Sequence, residues 1–214
     1  MRARRRILTL VAVLAAALAV VGSAGADASG GANHVVIAQN TTDGATVVNA
    51  GTQVVPVSSD TVTSANIAAA VNAGCTGCHS TAVAVQILIV RGSPSFFAPG
   101  NAAGAANGGC DSCGAFAFAR QHWIQVDQTT NLSGAARQQV AELRQEIDAA
   151  AASILPSDGA TDPCVKTLDC PTRDDQLNAK LMALSDELIQ VVTNDLQASG
   201  DMTSTLFDQV QNQG

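Results

Sequence analysis

With 214 residues, 47% of them hydrophobic and only 14% charged, the chain is long enough to bury one core and too apolar to stay disordered. Eleven Lys and Arg stand against 18 Asp and Glu, and aromatic residues make up 3% with no Tyr. A net charge of −7 with so few rings excludes the basic, aromatic-studded surface of an ordinary nucleic-acid binder.

Met1 to Ala26 carries the three parts of an export signal. Arg2, Arg4, Arg5 and Arg6 form the basic start, Ile7 to Gly22 the apolar run, and Ala24-Gly25-Ala26 the small-residue site before Asp27. The 16-residue run is short of the roughly 20 needed to span a bilayer, so cleavage after Ala26 is expected rather than anchoring. Arg4-Arg5-Arg6-Ile7-Leu8 also loosely fits a twin-arginine signal, which leaves the export route open. Cleavage removes four cations and leaves seven against 18 carboxylates, a mature charge of −11. Ten of those carboxylates fall between Glu142 and Glu187.

Two Val-rich runs, His34 to Asn40 and Ala45 to Val57, flank Thr41-Thr42-Asp43-Gly44. An Asp-Gly turn between alternating apolar runs predicts a β-hairpin, with Pro56 marking an end or an edge. Asn40-Thr41-Thr42 and Asn131-Leu132-Ser133 match the glycosylation sequon, which we read as chance.

Ser64 to Val90 and Pro99 to Gln125 then align at an offset of 35 residues. Asn66 matches Asn101, Asn72 matches Asn107, Gly74 matches Gly109, and Cys75 and Cys78 match Cys110 and Cys113. Ala82, Ala84, Gln86 and Ile89 match Ala117, Ala119, Gln121 and Ile124. Each copy reads as a short Ala-rich helix stopped by Gly, then a CxxC, then a strand. In the strand, Ala82, Ala84 and Gln86 share one face with Val83, Val85 and Ile87 opposite. The second copy places Phe118, Arg120 and His122 on that opposite face.

From Ser133, a plausible N-cap, the period lengthens to that of a helix, with Ala136, Val140, Leu143, Ile147 and Ile154 on one stripe. A second helix starts near Thr172, where Asp175 completes a capping pattern, and carries Leu177, Leu181, Leu184, Leu188 and Val191. Pro156 to Pro171 links the two, and the polar tail after Gly200 is expected to fray. The expected fold is therefore α+β. An N-terminal hairpin and two helix-CxxC-strand repeats form a small, mainly antiparallel sheet, followed by an amphipathic helical hairpin. The expected divisions are 1–26 signal, 27–130 the duplicated CxxC domain, 131–200 the helical hairpin and 201–214 the tail.

The hairpin with Thr42-Asp43-Gly44, the paired Asn…CxxC…Ala-x-Ala-x-Gln units and LSGAARQQVAELRQEI resemble a group of uncharacterised actinobacterial secreted proteins. Related segments occur in longer proteins labelled peptide zinc metalloproteases. The resemblance covers His34 to Ile147 and implies a shared module without an activity. The chain has no His-Glu-x-x-His, so protease chemistry does not carry over.

The six cysteines, Cys75, Cys78, Cys110, Cys113, Cys164 and Cys170, are even in number and follow an export signal, so structural disulfides are the leading reading. Cys164 and Cys170 suit a local loop, whereas the other four can pair within or between the CxxC units. Cross-repeat bonds closing loops of about 35 residues stabilise by roughly 4 kcal/mol against roughly 2.5 for the local loop, but spacing does not fix the connectivity. Cys75-Thr76-Gly77-Cys78-His79 also spells the covalent haem motif, with His79 as iron ligand. The second copy has Gly114 at the histidine position, which argues against haem. The same four cysteines match a zinc tetrathiolate in number, or a thiol–disulfide exchanger. Histidines 34, 79 and 122 have no metal spacing, and no Gly-x-Ser-x-Gly frames a nucleophile. The preferred function is a secreted, non-catalytic, disulfide-stabilised envelope or interaction protein without nucleic acid or a membrane span. Its unknown partner would meet the second-repeat face or the helical hairpin. The alternative is an extracytoplasmic redox or haem protein using Cys75, Cys78 and His79.

Overall fold

The computed structural model describes residues 32–128, 131–159, 161–162, 170–200 and 202–213, with side chains left undescribed for 202–207. The signal segment and Cys164 lie outside these residues. Seven strands and two helices follow one another: β1 His34–Asn40, β2 Thr46–Val57, β3 Thr61–Ala73, β4 His79–Arg91, β5 Phe96–Gly108, β6 Gly114–Val126, α1 Gly134–Ser153, α2 Arg173–Ala198 and β7 Met202–Gln213. The strands make two sheets, β1-β3-β5 and β2-β4-β6-β7. All pairings are parallel except β6 with β7. The path is a three-coil solenoid in which each coil gives one strand to each sheet.

This overturns the expected mainly antiparallel sheet and its N-terminal hairpin. β1 and β2 do flank a turn at Gly44 (φ 65°), but they enter different sheets and pair with the next coil instead. The turn is an arch. The Gly44 N–H donates to Thr76 O at 2.8 Å, so each arch hydrogen-bonds to the arch above it rather than closing a two-strand ladder. An Asp-Gly turn fixes the reversal of the chain; it does not decide whether the strands meet through their backbones or their side chains.

The Ala-rich stretches expected as helices are strands β3 and β5. Alanine favours helix only weakly, and the alternation prevails. Ser64, Asn66, Ala68, Ala70 and Asn72 fall on one face, where Ala38, Ala68 and Ala70 pack against Ala82, Ala84, Ala117 and Ala119 of the other sheet. Small side chains let the two sheets approach closely. The residues matched at 35 in the sequence are the strand partners: Asn66 lies beside Asn101, Asn72 beside Asn107, and Gln86 beside Gln121.

Those amides form ladders through the interior. Gln121 Nε2 donates to Gln86 Oε1 at 2.6 Å, and Gln86 Nε2 to Gln53 Oε1 at 2.8 Å. Asn66 Nδ2 donates to Asn101 Oδ1 at 2.8 Å, and Asn72 Nδ2 to Asn107 Oδ1 at 2.8 Å. A one-residue slip would break every rung and leave buried amides unpaired, so the polar ladders specify the register that the uniform alanines do not. Asn40 works similarly at the first arch. It is 2% exposed and donates to Ala45 O and His79 O, which removes the first sequon from solvent.

The opposite face of the four-stranded sheet is covered by the helices. Val83, Val85, Ile87, Phe116 and Phe118 pack with Val140, Leu143, Ile147, Leu177, Leu181 and Leu188 in one cluster. The helical hairpin is as expected. Ser133 Oγ accepts from Ala136 N, and Thr172 with Asp175 forms a reciprocal capping box. On α2 the stripe ends on Val192 and Leu196, both buried, with Val191 only partly covered. The polar tail does not fray but adds β7 antiparallel to β6. Among the described residues no helix is long and apolar enough to cross a membrane.

Candidate functional site: four cysteines between two coils

The CxxC segments are the arches after β3 and β5, and the parallel stacking places one over the other. Gly74 N donates to Gly108 O at 2.9 Å, Gly77 N to Asp111 O at 2.8 Å and Gly114 N to Cys78 O at 3.1 Å. Both arches need left-handed backbone at equivalent positions. Gly74 and Gly109 have φ of 65° and 64°, and Gly77 and Ser112 have 62° and 54°. Serine there is unusual, because a Cβ disfavours that region.

This register brings Cys75, Cys78, Cys110 and Cys113 into one cluster, with all four Sγ atoms within 4.8 Å of one another. Cys75 and Cys78 form a disulfide, while Cys110 and Cys113 are thiols. The Cys75–Cys78 bond is one of the pairings within a CxxC unit that the spacing left open. Cys170 is also disulfide-bonded. Cys78 Sγ lies 2.8 Å from Cys113 Sγ, and Cys110 Sγ lies 3.8 Å from both Cys75 Sγ and Cys78 Sγ. Cys75, Cys78 and Cys113 are buried and Cys110 half-exposed, so the cluster opens to solvent on the Cys110 side. Burial pushes the Cys113 thiol above its usual range, and the hydrogen bond to Cys110 pushes it the same way.

These residues do not suit covalent haem. The macrocycle would need both sulfurs of the motif facing outward, but Cys75 and Cys78 are 2% and 0% exposed and turned into the stack. His79 Nδ1 is buried without a hydrogen-bond partner and packs against the bare backbone of Gly114, where a Cβ would come within 2.9 Å of it. Gly114 thus stands at the histidine position of the second copy because that space is filled from both sides. The nearest atoms on the other side are Pro156 O and Ser157 O, at 2.6 and 2.8 Å from such a Cβ.

The other two histidines lie elsewhere. His34 Nδ1 is 2.9 Å from Asn66 Oδ1, and His122 Nδ1 is 3.8 Å from Asp208 Oδ1. The second-repeat face expected to meet a partner is core, because Phe118, Arg120 and His122 are 0%, 4% and 5% exposed beneath the helices. Of the adjacent phenylalanines, Phe97 packs edge-on to Trp123 with centroids 5.4 Å apart, while Phe96 is exposed.

One constellation was not read from the sequence. Arg120 on β6 is clamped by Asp208 of β7 through Nε and Nη2 at 3.1 and 2.5 Å, by Asp186 of α2 at 2.7 Å, and by Ser185 Oγ at 2.7 Å. Burial raises the Asp208 carboxyl, but His122 and Arg120 outweigh it and hold the group at about 2. An arginine in an otherwise apolar alternation is a visible signal, but its partner 88 residues away is not. The chain matches no family model, no curated protein and no solved structure, so the reading of this site rests on its own geometry.

Proposed function

We propose that the mature chain is an extracytoplasmic, non-catalytic interaction protein that associates through the outer face of the β1-β3-β5 sheet, with a second copy of itself as the occupant. The observation that carries this reading is the chemistry of that face. Its outward positions carry no charged side chain: Val35, Ile37 and Gln39 on β1 and Phe96, Ala98 and Ala102 on β5 flank the β3 positions Ile67 and Val71, which are only 6% and 7% exposed. Val35 and Ile37 are 40% and 46% exposed. The helices lie against the other sheet, so the acidic residues they carry do not oppose contact here.

Strands of seven, 13 and 13 residues, at ~4.8 Å spacing and ~3.3 Å per residue, present roughly 520 Å². Two such faces bury roughly 1,000 Å² together, the size of a small, weakly held interface. A flat Ala/Gly surface is self-complementary about a two-fold axis without a matching pocket.

Light scattering on the mature protein, residues 27–214, provides the test. A concentration-dependent dimer that Ile37→Asp, at a position 46% exposed, makes monomeric is expected, and a wild-type monomer at high micromolar concentration refutes the proposal. A second reading, thiol–disulfide exchange, is favoured by the Cys113 sulfur standing 2.8 Å from Cys78. In that reading the Cys113 thiolate attacks Cys78 Sγ, a Cys78–Cys113 bond forms and Cys75 leaves as thiolate. Mapping of trapped disulfides that finds Cys78–Cys113 supports it, and Cys75–Cys78 alone at all times dismisses it.

A further inference from the structure

We propose that the four-cysteine cluster, once its disulfide is reduced, is a zinc site that joins two successive coils through four thiolates. The inference is independent of the association proposed above.

Three observations carry it. First, the sulfurs come as two pairs from two arches whose backbones are already held in register by Gly77 N to Asp111 O and Gly114 N to Cys78 O. The protein therefore needs no rearrangement of the main chain to gather its ligands. Second, the spacing fits. Zinc–sulfur bonds of about 2.3 Å at tetrahedral angles set the sulfurs about 3.8 Å apart. Cys110 Sγ already stands at 3.8 Å from Cys75 Sγ and from Cys78 Sγ. Opening the Cys75–Cys78 bond frees the remaining sulfurs to separate by side-chain rotation, which also relieves the 2.8 Å crowding of Cys78 against Cys113. Third, the half-exposed Cys110 gives an ion a way in, while burial of the other three shields the site once formed.

The chemistry closes on itself. Two equivalents of a thiol reductant take the Cys75–Cys78 disulfide to two thiols and become one disulfide. Zinc then displaces the protons of four thiols. A two-electron oxidant of the disulfide class reverses the first step, removes two ligands and releases the metal. The cluster thus has two exclusive states, a disulfide beside two thiols or a metal-bound tetrathiolate.

The experiment uses mature protein reduced without oxygen and titrated with Co²⁺ as a spectroscopic stand-in. The expected result is one equivalent bound, with the intense visible bands of a tetrahedral sulfur site and a sulfur-to-cobalt charge-transfer band. One equivalent of Zn²⁺ should displace it. The unreduced protein should bind none, and Cys113→Ser and Cys110→Ser should each weaken binding by at least 100-fold. Circular dichroism of the metal-free variants confirms that they remain folded; if Cys113→Ser unfolds, Cys110→Ser, which alters the most exposed ligand, carries the test. A weak octahedral cobalt spectrum, binding that survives both variants, or equal binding by unreduced protein would each overturn the proposal.

Discussion

Replacing Asp208 by Asn removes a charge from the clamp that ties β7 to β6 while keeping the side chain's size and one acceptor for Arg120. The carboxyl is held at about 2 against an ordinary 3.8. That difference amounts to about 2.4 kcal/mol if taken whole at ~1.4 kcal/mol per unit. With its side chain 35% exposed, solvent screening reduces the figure to about 1–1.5 kcal/mol. Because the folded value lies below the unfolded one, this stabilisation is complete above about pH 4 and is lost as the pH falls through 2. Asp186 remains on Arg120 at 2.7 Å, so the arginine is not left without a partner and the effect stays below that of orphaning a buried charge. Urea unfolding followed by the single tryptophan, Trp123, which is 3% exposed, reads the effect directly. Asp208→Asn should unfold earlier than wild type at pH 6 by that margin, and the two curves should converge near pH 2. A difference of the same size at both pH values would show that Asn acts through packing and that the charge is not what holds β7.

Gly114→Ala should destabilise the fold by about 1–3 kcal/mol, since its Cβ would meet Pro156 O at 2.6 Å and Ser157 O at 2.8 Å; urea midpoints measure this, and a neutral result would mean that the linker after α1 moves freely. Gln86→Leu removes the middle rung of the amide ladder, taking one acceptor from Gln121 Nε2, which keeps Ser64 Oγ at 3.1 Å, and the donor from the partly buried Gln53 Oε1, at about 1–2 kcal/mol. The triple replacement of Gln53, Gln86 and Gln121 by Leu should be less harmful than three such losses added together, and a double-mutant cycle checks it. Leu181→Ala, at a fully buried position between the helices and the four-stranded sheet, should lose about 2–5 kcal/mol in thermal or urea unfolding.

The C-terminal helices were legible because caps and stripes are local: Ser133, Thr172 and Asp175 sit where the first turns need them, and the leucines repeat at helical spacing. The two faces of β4 were legible for the same reason, with Ala82, Ala84 and Gln86 on the face toward the other sheet and Val83, Val85 and Ile87 on the face the helices cover, as the alternation predicts. The Ala-rich β3 and β5 were not, because alanine's local preference points to helix and only contact with another alanine-lined sheet reverses it. The match at 35 residues was plain, but its meaning is geometric. Identical residues recur because they stack side by side in parallel, as Asn66 and Asn101 do, and a mainly antiparallel arrangement would not bring them together. The cluster followed from the same register. Four cysteines could be counted in advance; that Cys110 and Cys113 remain thiols beside a closed Cys75–Cys78 bond could not.

The reversed last strand has a consequence for growth. Each coil before it offers the next a parallel template, but β7 runs the other way, and its Gln211 and Gln213 side chains accept from the Ala103 and Ala105 N–H groups on the free edge of β5. The stack is therefore polar in the sense that a filament is, with a blunt end and a sticky one. Additional coils can be inserted within the chain, but none can follow β7 in the same register. Among the described residues the opposite edges are β1 and β2, so strand pairing that lengthens the stack adds at that end and not at β7.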